Sequence, residues 1–187
     1  MSPPTSRRER TRARLQQCAL ELFERNGFEA TTVAAIADAA AVTPMTFFRH
    51  FATKAQALLE DPYDPLIAEA IARQPKPWSP LERVAAGLRE AWRSLPEPNS
   101  DLQRRRIKVI ADTPVLWGEM HANNRVTEQA VVEQLTRDGV DGLLARASAA
   151  AALAAITAAL FEWAKHEEVD IGQAVEQALS VLEGSRD

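Results

Sequence analysis

Apolar residues recur along the chain at the three- and four-residue spacing of amphipathic helices. No segment shows the alternation of a β-strand, and β-branched residues are few beside the many alanine, leucine, glutamate and arginine residues. The pattern predicts an all-α protein of about nine helices. The first helix is expected from about Thr5 to Asn26, with an apolar face made by Leu15, Cys18, Ala19, Leu22 and Phe23.

Three short helices follow the first one. The second is expected to begin after Thr32, and the third near Pro44, because proline has no N–H to lose in a first helical turn. The fourth begins at Thr53, which has the spacing of a capping box with Gln56, a pair that satisfies two backbone N–H groups. The prolines of segment 60–65 kink or restart this fourth helix.

This organisation predicts two domains. Residues 1–55 form a small domain of three helices, and the fourth helix joins it to a larger helical domain, residues 56–187. The larger domain contains a complete helix start at Ser79-Pro80-Leu81-Glu82. Later helices are expected at about 100–112, 115–137, 143–168 and 171–183.

The last two helices bear on how the chain assembles. The final helix has one clean apolar face, which includes Ile171, Val175 and Leu179. The alanine-rich helix before it has two, one made by Leu153, Ile156, Leu160 and Trp163 and the opposite one by Ala147, Ala151, Ala154, Ala155 and Ala158. Either the alanine face lies in a dimer interface, or the helix is central within its own subunit.

The composition is that of an ordinary soluble protein, 46% hydrophobic and 26% charged. The longest run without a charged residue, Ala147 to Phe161, is shorter than a membrane-spanning helix needs. The N-terminus lacks the apolar stretch of a secretory signal, so we expect a cytoplasmic protein. One cysteine and three scattered histidines give neither a disulfide nor zinc-ligand spacing, and we expect no metal and no cofactor.

Charge is distributed unevenly along the chain. The formal net charge is −4, but residues 1–54 hold eight basic and five acidic side chains and are therefore positive. Five of these basic residues are arginines between positions 7 and 14. Such a local basic patch attracts phosphate even when the whole molecule is acidic, although a solvated helix start has the same composition.

A basic arm in front of three short helices and a longer one is the anatomy of a helix-turn-helix DNA-binding domain. The segment from Ala37 to Lys54, ADAAAVTPMTFFRHFATK, resembles the signature of the tetracycline-repressor (TetR-like) family of transcriptional regulators. The resemblance extends back through Ala19–Phe23 and Gly27–Val33, and it covers about the first 55 residues.

The matched positions include the candidate DNA contacts. Thr32 caps the second helix, where its hydroxyl and nearby N–H groups are placed to meet a phosphate. The first turn of the third helix faces the major groove, where threonine hydroxyls bond base edges and apolar surface meets a thymine methyl. The residues of that turn are Thr43, Pro44, Met45 and Thr46. The family resemblance implies phosphate contacts for His50 and Lys54.

Two positions depart from the family pattern. Phe48 stands where the family usually has tyrosine, so a hydroxyl contact to phosphate is missing at this DNA-facing position. Ala41 stands where glycine is common, so the turn either needs no left-handed residue or tolerates some strain.

The segment from Arg104 to Leu116 resembles the branch of the family whose C-terminal domain binds an acyl-CoA-like ligand. Arg106 lies within the apolar arc of its helix, so it needs an anionic partner or a route to water. An internal carboxylate, snorkelling of the arginine stem and a ligand head group all meet this need. The candidate ligand-binding residues are Trp92, Arg106, Ile110, Trp117 and Phe161.

The sequence thus predicts a ligand-responsive DNA-binding regulator, a repressor that binds a pseudo-palindromic operator as a homodimer. The alternative is a helical small-molecule-binding module or enzyme that does not bind DNA. Against an enzyme, the sequence has no glycine-rich phosphate loop, no G-x-S-x-G motif and no histidine-rich metal spacing. Double-stranded DNA, a second copy of the chain and an unidentified effector are the expected partners, with no membrane.

Overall fold

The computed structural model describes residues 6–59, 64–94 and 100–183 of the chain. Ten α-helices and no strand occur within these residues, which confirms the all-α class. The helices are α1 Arg7–Asn26, α2 Val33–Ala39, α3 Pro44–Phe48, α4 Gln56–Leu59, α5 Asp64–Arg73, α6 Pro80–Ser94, α7 Ser100–Ala111, α8 Pro114–Arg137, α9 Gly142–Lys165 and α10 Ile171–Glu183. Thr5, where α1 was expected to begin, lies outside the described residues.

Side-chain caps start most of these helices where the sequence predicts. The hydroxyls of Thr32 and Thr43 accept hydrogen bonds from the third residues of α2 and α3, at 3.1 and 3.2 Å. Ser79 and Glu82 form the expected capping box at the start of α6. The box at Thr53 is different. The Thr53 hydroxyl accepts from Gln56 N–H, but the side-chain Oε1 of Gln56 accepts from Ala52 N–H at 2.7 Å instead of from Thr53 N–H.

The chain divides into two compact units. The first comprises Met1–Glu60 and Val109–Glu119, and the second comprises Asp61–Lys108 and Met120–Asp187. In the first unit, Ile36 and Phe47 are fully buried and Phe51 is nearly so, with the Phe47 and Phe51 rings 5.5 Å apart. Because the unit is small, each of these apolar side chains contributes a large part of its core.

The second unit is built around five helices. Its main apolar core joins Ile71 of α5, Val84 of α6, Leu135 of α8 and Leu179 of α10 to buried alanines of α9. A second cluster surrounds Trp163, at the end of α9. At Gly87 a Cβ atom would lie 2.8 Å from the Ile71 backbone, so only glycine allows α5 and α6 to approach this closely.

A buried ion pair lies at one end of α6. Arg83 is only 1% exposed, and its guanidinium donates to the Asp138 carboxylate after α8. Asp138 also contacts Lys76 Nζ at 3.2 Å and Gln134 Nε2 at 3.3 Å. The hydrogen bond from Arg83 is the main cause that lowers the pKa of Asp138. Arg83 Nε has no hydrogen-bond partner among the described residues, so the pair already carries one unsatisfied donor.

The faces of α9 and α10 distinguish the two alternatives for the alanine-rich helix. The apolar face of α10 is buried within its own unit. On α9, Trp163 points into that unit, but most of the alanine face is exposed, namely Ala147, Ala151, Ala154 and Ala158. Leu143, in the same helix, is 76% exposed. A central helix covered on both faces by its own subunit is therefore not what the structure contains.

The length and composition of α9 also bear on membrane association. By these two properties alone, it is the one helix within the described residues that is long and apolar enough to cross a membrane. A single helix of this kind is weak support for a membrane span, because core helices of soluble proteins have the same properties.

The turn between α2 and α3 is strained at Ala41. This residue has a φ of 48°, the left-handed region that favours glycine, so the turn tolerates strain and does not avoid the conformation. We expect Ala41→Gly to raise the free energy of unfolding by about 0.5–1 kcal/mol, measured by urea titration. The matched control, Ala13→Gly in the exposed middle of α1, should lower it by about 1 kcal/mol. A decrease for both variants would show that Ala41 is not strained.

Candidate nucleic-acid interface

The start of α3 presents a short, outward-facing surface. Thr43, Pro44 and Met45 are exposed, and Met45 is 71% exposed, unusually high for a methionine side chain. The hydroxyls of Thr43 and Thr46 lie 3.1 Å apart, so the two side chains form one small polar patch beside Met45. This surface has both the hydrogen-bonding groups and the apolar area with which a helix reads base edges.

Phe48 lies at the end of the same helix and faces outward. It is 53% exposed, and its ring meets that of buried Phe47 edge-to-face at 5.7 Å. An aromatic ring at this position adds apolar area to the surface but no hydrogen-bond donor. The outward orientation is the one that a DNA-facing residue requires.

Basic side chains of α1 gather beside the end of α3. Arg12 donates to the carbonyl oxygen of His50 at 3.3 Å, and its guanidinium lies 4.6 Å from the centre of the Phe51 ring. Burial lowers the pKa of the half-buried His50, and the positive charges of Arg8, Arg12 and Arg49 lower it further. We call these four residues the arginine–histidine cluster.

The family resemblance implies a role for His50, but its three arginine neighbours are not among the predicted site residues. Arg8 and Arg12 belong to the basic run whose local charge predicts attraction of phosphate, without a role for either residue. The available signal was their spacing, because residues four apart lie on the same face of a helix. Their position relative to His50 depends on how α1 packs, which no local pattern reveals.

Lys54 has a different environment from the cluster. Its ammonium donates to the carbonyl oxygens of Phe28, Glu29 and Thr31, at 2.6, 3.2 and 2.9 Å. It also lies 4.4 Å from the centre of the Phe28 ring. An ammonium group has three N–H donors, and these contacts use all three. Lys54 thereby joins the start of α4 to the loop between α1 and α2.

We expect Lys54→Met, which keeps the aliphatic stem, to lower the free energy of unfolding by about 1–3 kcal/mol. The reason is that three carbonyl acceptors lose a charged donor. The salt dependence of DNA binding, measured by fluorescence anisotropy on the folded variant, should remain that of the natural protein. A slope smaller by about 0.9 per subunit would instead support the phosphate contact that the family resemblance implies for Lys54.

The candidate ligand-binding residues divide between the two units. In the second unit, Trp92 is half-buried and packs against both apolar clusters, while Arg106 and Phe161 are half-buried. Arg106 donates to the Gln103 side chain at 3.5 Å. Ile110 and Trp117 belong to the Val109–Glu119 part of the first unit. There, Ile110 is buried, whereas Trp117 is 46% exposed and donates to the Ala111 carbonyl.

Arg104 is a cation of α7 with several anchoring contacts, and it is not among the candidate site residues that the sequence predicts. Its guanidinium lies 4.2 Å from the centre of the Trp163 ring. It also donates to the carbonyl oxygens of Trp163, His166 and Val169. Arg104 thus adds a charged donor to carbonyls at and just beyond the end of α9, which also accept from His166 N–H, Val169 N–H and Trp163 Nε1. The three consecutive arginines were the signal, but the helix pattern alone favoured Arg106.

Two protein families match this chain. Residues 17–61 match the family described as bacterial regulatory proteins, tetR family. Residues 78–187, more than half of the chain, match the MftR C-terminal domain. The first match contains α2, α3 and the turn between them.

Individual proteins that resemble this chain include one sequence relative and two solved structures. The HTH-type transcriptional regulator TcmR of Streptomyces glaucescens is 31% identical over an alignment of 140 residues, and the match covers 71% of this chain and 62% of TcmR. The chain therefore spans less than two thirds of that relative. NalD, the secondary repressor of the MexAB-OprM multidrug efflux pump in Pseudomonas aeruginosa, shares the fold, with a TM-score of 0.58 at 22% identity and 94% coverage of both chains. Thermus thermophilus FadR, solved with lauroyl-CoA, has a TM-score of 0.50 at 25% identity, covering 92% of this chain and 93% of its own.

Proposed function

The chain belongs to the TetR family of bacterial regulatory proteins, and from this we propose that it is a ligand-responsive repressor that binds a pseudo-palindromic DNA operator as a homodimer. The observation that carries the proposal is the exposed first turn of α3 beside a cluster of basic side chains. The polar and apolar groups of the turn read bases, while basic groups bind the backbone. A regulator of this kind acts in the cytoplasm and needs no catalytic step.

Within this proposal each interface residue has a defined part. Thr43 and Thr46 bond base edges, while Pro44 and Met45 meet thymine methyl groups. Thr32 and His50 contact phosphates, Phe48 packs against the sugar–phosphate backbone, and Lys54 supports the same surface. The clustering of these side chains in one unit supports the assignment.

A second copy of the chain is the proposed occupant of the exposed face of α9. An alanine-rich surface allows two helices to approach closely, and a twofold axis brings the same face of each copy together. Leu143 and the alanine face provide the apolar area for this contact. The dimer then presents two copies of α3 to two half-sites of one operator.

The effector is proposed to be an acyl-CoA-like molecule that binds in the second unit. The lauroyl-CoA complex of the structurally similar Thermus thermophilus FadR supports this class. An anionic head needs a cation beside apolar surface, and we assign Arg106 to the head and Trp92 and Phe161 to the chain. Ile110 and Trp117 belong to the first unit and stay candidates from the sequence pattern alone.

We expect long-chain acyl-CoAs to weaken binding of the protein to a selected operator, because the ligand stabilises the conformation that binds DNA poorly. Fluorescence anisotropy with acyl chains of increasing length measures the effect. Arg106→Ala should require a higher ligand concentration for the same release. Equal release from both proteins would assign Arg106 to an internal interaction.

A helical binding module that never contacts DNA is the competing function. The two are separated by retention on a DNA-agarose column followed by elution with increasing NaCl. A DNA-binding regulator is retained at low salt despite its net charge of −4, because its basic residues are local. A protein that passes straight through at low salt would favour the binding module.

A further inference from the structure

The arginine–histidine cluster is held in place by contacts between α1 and the end of α3. Arg12 is fixed from two sides, by the His50 carbonyl and by the ring of Phe51. Arg8 is one turn before Arg12 on α1, and Arg49 is the residue next to His50. Phe51 is 1% exposed, so the platform beneath Arg12 is part of the core of the unit. Arg12 is therefore held in place before any ligand arrives.

The charged groups that act on His50 all have the same sign. Among the described residues, the charged groups that act on its imidazole are Arg8 and Arg12 from α1 and Arg49 beside it, and all three are cations. Burial and these cations lower the pKa of the imidazole, and in the absence of DNA they therefore favour its neutral form. A cationic surface of this kind is completed by an anion, and a DNA phosphate is the anion that the proposed function brings to it.

We propose that the arginine–histidine cluster is a proton-linked phosphate site: a DNA phosphate binds to Arg8, Arg12 and Arg49, and the imidazole of His50 takes up one proton from solvent as it binds. The proposal rests on the proposed DNA-binding function and names where part of the backbone contact is made. In the bound state both ring nitrogens of His50 are donors, and the negative charge of the phosphate offsets the repulsion from the arginines.

Proton uptake by His50 makes folding stability and DNA affinity respond to pH in opposite directions. In the free protein the lowered pKa of His50 means that folding favours the neutral imidazole, so this contribution to stability is present above the pKa of the unfolded chain and is lost as pH falls. DNA binding favours the protonated imidazole, so affinity for DNA rises over the same fall in pH. A histidine with only a structural role would change stability but leave the pH dependence of DNA affinity unaltered.

The phosphate contact is tested by the salt dependence of binding to a labelled duplex of random sequence. Arg49→Gln should reduce the slope of log K against log salt by about 0.9 per subunit. Arg25→Gln makes the same change of charge at the other end of α1 and should leave the slope unaltered. Equal slopes for Arg49→Gln, Arg25→Gln and the natural protein would overturn the phosphate site.

Proton uptake is tested by measuring affinity for the same duplex between about pH 5.5 and 8, at constant salt and in the range where each protein is folded. The natural protein should bind about three- to tenfold more tightly at the acid end, and His50→Gln should lose this change. The double variant His121→Gln/His166→Gln should keep it. An unaltered pH dependence in His50→Gln would overturn the proton linkage, whereas absence of binding by the natural protein would reject the proposed function itself.

Discussion

Replacement of Asp138 by alanine is expected to lower the free energy of unfolding by about 3–5 kcal/mol, the largest stability effect that we expect from one side chain. The reason is the position of its partner. Arg83 is 1% exposed, so the variant leaves a buried guanidinium without its carboxylate. Thermal unfolding followed by circular dichroism should show a decrease in Tm on the order of 10 °C.

A double variant separates the effect of the unpaired Arg83 charge on stability from the other effects of replacing Asp138. Arg83→Met/Asp138→Leu removes both charges, and it should recover most of the lost stability because apolar side chains of similar size tolerate burial. If Asp138→Ala lowers the free energy of unfolding by less than about 1 kcal/mol, the ion pair contributes no more than an exposed pair does, in spite of its burial.

The ion pair also determines a pH response. The pKa of Asp138 is lowered by its hydrogen bond from Arg83, so this carboxylate stabilises the fold above the pKa of the unfolded chain. The contribution is lost as pH falls through the lowered pKa of the folded state. Acid titration at constant temperature should therefore show a smaller loss of stability for the Arg83→Met/Asp138→Leu variant than for the natural protein.

Ala154→Glu is expected to dissociate the proposed dimer and to weaken operator binding by about 100-fold or more. Ala154 lies on the exposed alanine face of α9, where a carboxylate would meet its symmetry mate across the twofold axis. A monomer has one copy of α3 and loses the gain from binding two linked half-sites. Sedimentation equilibrium measures the first effect, and anisotropy with a selected operator measures the second.

Ala122→Glu is the matched control for that variant. It makes the same substitution at an exposed position of a different helix, α8. It should remain dimeric and should bind DNA as the natural protein does. Dimerisation that survives Ala154→Glu would move the interface away from the alanine face of α9.

The local parts of the fold were predictable from the sequence. The helices that begin after Thr32, Thr43 and Ser79 are each capped by a side-chain oxygen that accepts from the backbone N–H three residues later. Because both groups lie within one short segment, these helix starts can be predicted without knowledge of the rest of the chain. The same holds for the exposed first turn of α3, because its signature lies within one short segment. The strain at Ala41 was left open, since only the backbone conformation shows whether the turn is left-handed.

Long-range contacts were beyond the sequence pattern. Lys54 bonds carbonyls 23–26 residues earlier in the chain, and Arg83 meets an aspartate 55 residues away. Such pairs depend on how helices pack, and a helical wheel reports only which face a residue occupies. For the same reason the sequence favours Arg106 on α7, whereas packing also anchors Arg104, through carbonyls and the Trp163 ring.

The central claim is that α3 of each subunit reads DNA bases in a twofold dimer. The most direct measurement is selection of binding sites from a random duplex library with the natural protein and with Met45→Ala. We expect the natural protein to enrich a pseudo-palindrome whose half-sites are about one helical turn or a multiple of it apart. Met45→Ala should enrich a site that differs at corresponding positions of both half-sites. Enrichment of no motif, or of the same motif by both proteins, would contradict the account.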